Sequence, residues 1–186
     1  ALILDSERLL TWSAQRELAI WAQDDGRPVV KMSGHTRPVG GALVLSGKRI
    51  LSWGWLGDTI RVWDSETGAS LGVTGGAGDG FEGIEALDND RVVSWTTGGQ
   101  LSVWDFSENQ GRLLWSDSGP TVLGAGGLDG ELLLTWSSDG AYRYRDLSSG
   151  ALLATAMFAD DGGWMVLDPE GRFETDDIGA FAGAIW

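Results

Sequence analysis

The sequence predicts an all-β chain built of repeated four-stranded antiparallel sheets. Three observations predict it. First, a short apolar run ends in tryptophan four times, at Trp12, Trp53, Trp95 and Trp136, at intervals of 41 or 42 residues. Second, another run follows each, ending at Trp21, Trp63, Trp104 and Tyr144, at intervals of 40 to 42 residues. Third, a polar turn precedes each first run: DSER, SGKR, DNDR and LDGE, with a fifth, DPEGR, one period further on. The runs are rich in β-favouring residues and alternate apolar with polar, as half-buried strands do. A period near 40–45 residues holding four short strands is that of a β-propeller blade. The expected fold is therefore four full blades plus part of a fifth, as an incomplete arc or a piece of a larger propeller.

Taken in order, the first blade covers about 1–36, with strands LIL, RLLTW, ELAIW and PVVKM. The second covers about 37–78, with ALVL, RILSW, TIRVW and ASLGV. The third covers about 79–119, with IEAL, RVVSW, QLSVW and RLLWS. The fourth covers about 120–163, with a weak first strand near 121–123, then ELLLTW, AYRYR and ALLATAM. DDGRP, SETGA, SENQG and LSSGA supply the turn before each fourth strand. Residues 164–175, WMVLD-PEG-RFET, read as an extra hairpin, and 176–186 as an irregular tail whose apolar positions suit a cap.

Packing blade on blade covers both faces of each small sheet, so every repeat needs neighbours. Indoles at the ends of the second and third strands suit that space. Each takes roughly 150–250 Å² from water. An unfinished arc leaves adhesive ends, so self-association that completes the propeller is expected.

Composition narrows the function. A net charge of −14 opposes nucleic-acid backbones and anionic membrane surfaces as partners. No run approaches the 18 apolar residues of a membrane helix. There is no cysteine, hence no thiol nucleophile or thiolate metal site, and the expected location is the cytoplasm. The opening ALILDSERLL lacks a signal peptide's basic start and begins on Ala, so an excised piece of a longer chain is expected.

Gly34-His35, Ser52, Asp58 and Trp63-Asp64 resemble the WD-repeat β-propeller family. The resemblance implies that His35, Ser52, Asp58 and Trp63 form a hydrogen-bonded set fastening the second blade. The turn holding Asp58 is two residues longer than the family's. The other blades keep less of the pattern: Ser94, Trp104 and Asp105 in the third, Thr135 and Asp139 with Tyr144 for Trp in the fourth, Thr11 and Trp21 in the first. The stretch WMVLDPEGRFET resembles a segment of bacterial WD-repeat proteins that also carry a caspase-like protease domain.

Candidate chemistry is sparse. His35, the one histidine, could serve a Ser52 nucleophile, but its place in the motif makes it a structural fastener. Acidic groups at Asp24-Asp25, Asp58, Asp79, Asp88-Asn89-Asp90, Asp160-Asp161 and Asp176-Asp177 lack calcium-loop spacing and read as turns, so no metal is expected. The GGAGDG run at 75–80 lacks the Lys and helix of a phosphate cradle and reads as an inter-blade loop. Trp55 lies in the turn between second and third strands, which in the resembling family opens on the binding face. Arg16, Arg37 and Asp79 sit in corresponding turns. The expectation is a non-catalytic scaffold without cofactor that binds a protein or peptide. The alternative is an accessory or sensor domain of a larger enzyme such as a bacterial caspase-like protease.

Overall fold

The structure, a computed structural model, describes residues 1–55, 59–75, 78–160 and 162–176. Asp58 and the tail at 177–186 lie outside the described residues. Among the described residues every regular element is a strand, and no helix is long and apolar enough to cross a membrane.

Three four-stranded antiparallel sheets and one six-stranded sheet follow one another along the chain. The first holds β1 (Leu2–Ile3), β2 (Arg8–Trp12), β3 (Glu17–Ala22) and β4 (Pro28–Ser33). The second holds β5 (Val39–Leu45), β6 (Arg49–Gly54), β7 (Ile60–Asp64) and β8 (Ser70–Thr74). The third holds β9 (Phe81–Ala86), β10 (Arg91–Thr96), β11 (Gln100–Asp105) and β12 (Arg112–Ser118). The fourth holds β13 (Val122–Leu128), β14 (Leu132–Ser137), β15 (Tyr142–Asp146) and β16 (Leu152–Phe158), then β17 (Trp164–Leu167) and β18 (Phe173–Thr175). Neighbours in sequence are neighbours in each sheet, as in propeller blades.

Alternation gives each blade two faces. The leading face of blade one carries Leu10, Trp12, Leu18, Ile20, Val30 and Met32. It packs on the trailing face of blade two, which presents Ile50, Trp63 and Ala42. Leu51, Trp53, Ile60 and Val62 of blade two pack in turn on Ile84, Val92, Trp104 and Phe106 of blade three. Val93, Trp95, Leu101 and Val103 of blade three pack on Ala125, Leu133 and Leu147 of blade four. Second-strand indoles thus always lead and third-strand indoles always trail. A fully buried indole contributes about 4–6 kcal/mol gross at 25 cal/mol per Å². Among the described residues no core cluster joins blade four to blade one.

Three departures from the sequence reading have physical reasons. The residue of blade four equivalent to Trp21, Trp63 and Trp104 is Arg145, not Tyr144. Those tryptophans pair across the ladder with Leu9, Ile50 and Val92, and Arg145 pairs with Leu133. The register between third and fourth strands also shifts immediately before each of the four residues. The first strand of blade four, expected to be weak, runs seven residues. The hairpin at 164–175 forms, but β17 pairs with β16 and extends the fourth sheet. Its open outer edge offers unpaired amides and carbonyls, so the hairpin adds there as readily as it would begin another sheet.

The glycines of the first strands have a steric role. Gly41, Gly83 and Gly124 lie opposite Trp53, Trp95 and Trp136. A Cβ at any of them would stand 2.1–2.2 Å from the facing indole. The indole lies flat over the glycine, and the leading face stays level enough to take the next blade.

Turn contacts tie blade to blade on the opposite end from Trp55. Ser46 Oγ donates to Asp90, and Arg49 pairs with Asp90 at 2.6 Å while donating to the Phe106 carbonyl at 2.8 Å. Trp115 Nε1 donates to the Leu147 carbonyl at 2.8 Å. Gly68 presses on the Lys31 carbonyl and Gly150 on the Trp115 ring, each a glycine turn of one blade seated on the last strand of the blade before.

Candidate functional site

One end of the arc gathers two kinds of connection: turns between second and third strands, and links from one blade to the next. Both return the chain to the same end because the four strands alternate direction. Blade two supplies the best-fastened part. Its b–c turn follows β6, whose Ser52 hydroxyl is 0% exposed. Ser52 Oγ accepts from Trp63 Nε1 at 2.8 Å and lies 2.7 Å from His35 Nε2. His35 is buried, and its ring stands tilted 6.1 Å from that of Trp63. The guanidinium of Arg61 lies 5.7 Å from the Trp63 ring. The set pins the incoming link at Gly34 and His35 to two strands of the sheet. Asp58, the fourth residue of the expected set, lies outside the described residues. The Ser52 hydroxyl has no exposed surface and is engaged by both the indole and the imidazole.

Simpler versions recur. Trp21 Nε1 donates to Thr11 Oγ1 at 2.7 Å, and Trp104 Nε1 to Ser94 Oγ at 2.9 Å. Blade four has Thr135 at that place but Arg145 for the indole. Arg145 pairs with Asp117 of blade three at 2.7 Å and donates to the Gly150 carbonyl. A polar cleft of about 210 Å³ opens there, lined by Thr135, Arg143, Arg145 and Asp117 among others. Arg143 is paired with Asp139, so the cleft's two cations each face a carboxylate.

The rim residues divide into two groups. Trp55 is 57% exposed. Its amide donates to the Pro38 carbonyl at 2.9 Å, and its ring covers Gly40 so closely that a Cβ there would stand 2.1 Å away. It is therefore both folded back on its own blade and open to solvent. Arg16 is exposed, with φ +72° in its turn, and its amide donates to the Ser13 carbonyl. The same carbonyl accepts from the Val39 amide. Backbone bonds thus link the segments carrying Arg16, Arg37 and Trp55. Asp79 lies one blade further on. Its carbonyl accepts from Thr97 Oγ1, and its carboxylate fills the space beside Gly98.

Acidic turns fold onto their own amides and hydroxyls. The Ser107 amide and hydroxyl, then Arg112, hold the Asp105 carboxyl down to about 2. The Ser148 and Ser149 hydroxyls, then the Ser149 amide, hold Asp146 at about 2. Among the described residues no three histidine or carboxylate side chains converge as a metal site would require. The glycine run at 75–80 falls partly outside the described residues; Gly75 and Gly78 face open space.

The strand-facing glycines were missed by sequence reasoning, although each stands twelve residues before its tryptophan, which was a readable signal. Trp115 gave no such signal, since its partner is a carbonyl of the next blade.

No family model and no curated protein matches the chain. Among solved structures, the chain is similar to the crystal structure of the computationally designed Ika8 protein, with a TM-score of 0.69 and 20% identity. The match covers 94% of this chain and 57% of the designed one, so the chain spans a little over half the length of that protein. A likeness at this identity carries the fold alone.

Proposed function

We propose that the chain is a WD-repeat-like, non-catalytic module that binds a protein or peptide on the end carrying Trp55. The observation that carries this reading is an indole, more than half exposed, fixed by its own backbone bond and by contact with Gly40. An indole that is both held and exposed loses little freedom when a partner covers it, which is what binding hot spots require. The segments of Arg16 and Arg37 flank it and supply cations to a chain of net charge −14. Acidic or aromatic peptide groups suit that pairing.

Panning a peptide library displayed on phage against the chain tests the proposal. Enriched peptides are expected to lose about 30-fold in affinity on Trp55→Ala, the scale of a 2 kcal/mol hot spot. Failure to enrich, or peptides indifferent to Trp55→Ala while the variant keeps its melting point, would overturn it.

A further inference from the structure

The two ends of the arc leave two unlike apolar faces exposed. Blade one's trailing face presents Ile3, Leu9, Thr11 and Trp21 around an open trough of about 470 Å³. The same positions in blades two and three, Ile50 and Trp63 or Val92 and Ser94, are sealed by the blade before. Ile3 lies at the outer margin of the trough and is 70% exposed, against 45% for its counterpart Val44 in the covered blade two. Blade four's leading face presents Leu134, Trp136, Tyr142 and Tyr144, with Phe158 63% exposed at its outer side. Trp53 and Trp95 hold the place of Trp136 in blades two and three at 9% and 7% exposure, against 38% for Trp136. The hairpin of β17 widens this face, because Val166 continues the row of Trp136, Tyr142 and Ala156.

A third feature matches. The turns closed by Gly26, Gly68 and Gly150 are alike, each glycine amide donating to the carbonyl four residues earlier. Gly68 and Gly150 abut the last strand of the preceding blade, whereas Gly26 faces open space.

We infer that two copies of the chain join head to tail, the leading face of blade four seating on the trailing face of blade one of the second copy. The occupant is a second copy because the contact is one this chain already builds three times within itself. Trp136 shares a core with Trp21 as Trp53 shares one with Trp104, and Gly26 seats on β16 as Gly68 seats on β4. Leading and trailing faces differ in residues, so like faces do not match. Two copies give eight blades, at the upper end of the 4–8 that close; three copies give twelve, beyond it. The ring therefore closes at two, and addition stops. Each copy carries −14, so added salt strengthens the pairing.

Sedimentation velocity with light scattering on the full chain tests this. The expected result is a species of twice 19.8 kDa that dissociates on dilution and tightens with salt. Ile3→Asp spoils only the trailing face of blade one, and Phe158→Glu only the leading face of blade four. Each variant alone should be monomeric, with an unchanged circular dichroism spectrum. Their mixture should regain a dimer through the single intact pair of faces, at least tenfold weaker than that of the parent chain. A parent chain that stays monomeric at high concentration, masses that keep rising, or a mixture that fails to pair would each overturn the inference.

Discussion

Removing one hydroxyl, by Ser52→Ala, isolates the fastening of blade two. The substitution takes away no apolar area and leaves no cavity larger than an oxygen atom. It removes the hydroxyl that meets two buried groups: Trp63 Nε1, at 2.8 Å, and His35 Nε2, at 2.7 Å. A buried polar group stripped of its partner costs about 1–3 kcal/mol. The sum is about 3 kcal/mol, since both rings are almost fully enclosed. Ser94→Ala in blade three orphans only Trp104 Nε1, which is part-buried, and water replaces some of the loss. Its expected cost is about 1 kcal/mol. For a chain of this length each kcal/mol lowers the melting point by about 2–4 °C, giving about 6–12 °C for Ser52→Ala and about 2–4 °C for Ser94→Ala. Urea titration followed by both tryptophan fluorescence and circular dichroism reads the difference directly. The double variant with His35→Ala should lose less than the sum of the single losses, because both act on one bond. Equal losses for Ser52→Ala and Ser94→Ala, or full additivity with His35→Ala, would refute the reasoning.

Three further outcomes follow from the geometry. Arg145→Trp should raise stability by about 1 kcal/mol: the buried Arg145 Nε has no partner, Thr135 stands where the indole acceptor is needed, and the Asp117 left behind is 46% exposed and stays hydrated; a loss on urea titration would count against it. Gly83→Ala should cost about 1–3 kcal/mol by forcing the Trp95 ring off its strand, whereas Gly126→Ala, whose Cβ meets nothing within 4 Å, should be neutral or gain up to about 1 kcal/mol; equal effects in thermal melts would remove the steric account. The carboxyls of Asp105 and Asp146 are depressed from 3.8 to about 2 in the folded chain, so the unfolded chain takes up protons first as pH falls. Their stabilisation is full above about pH 4 and fades toward pH 2, and Asp105→Asn with Asp146→Asn should flatten the fall in melting point across that window.

What the sequence made legible was whatever recurs with a fixed period. Trp12, Trp53, Trp95 and Trp136 mark the second strands, and the paired strands follow. What it hid was register. In AYRYRD two tyrosines invite an aromatic-for-aromatic match, yet backbone pairing to Leu133 places Arg145 in the indole's position. The first strand of blade four reads as weak and confined to about 121–123, because the side chain filling the space over Gly124 belongs to Trp136. A hairpin can be read from WMVLDPEGRFET, but not the sheet edge it joins, since a strand that follows β16 can either pair with it or cross over to begin a new blade. At the candidate site, His35, Ser52 and Trp63 were legible from their order. The seating of Trp55 on Gly40 was not, because it depends on the path of the link between blades.

The central claim is that each blade is held by the blades on either side of it. Amide hydrogen exchange at low concentration of the Ile3→Asp variant, where single copies prevail, tests this most directly. Arg49–Gly54 and Arg91–Thr96, whose sheets are covered on both faces, should exchange most slowly, with Arg8–Trp12 and Leu132–Ser137 faster and Trp164–Leu167 fastest. Uniform protection across all four second strands, or fastest exchange in β6 and β10, would contradict it.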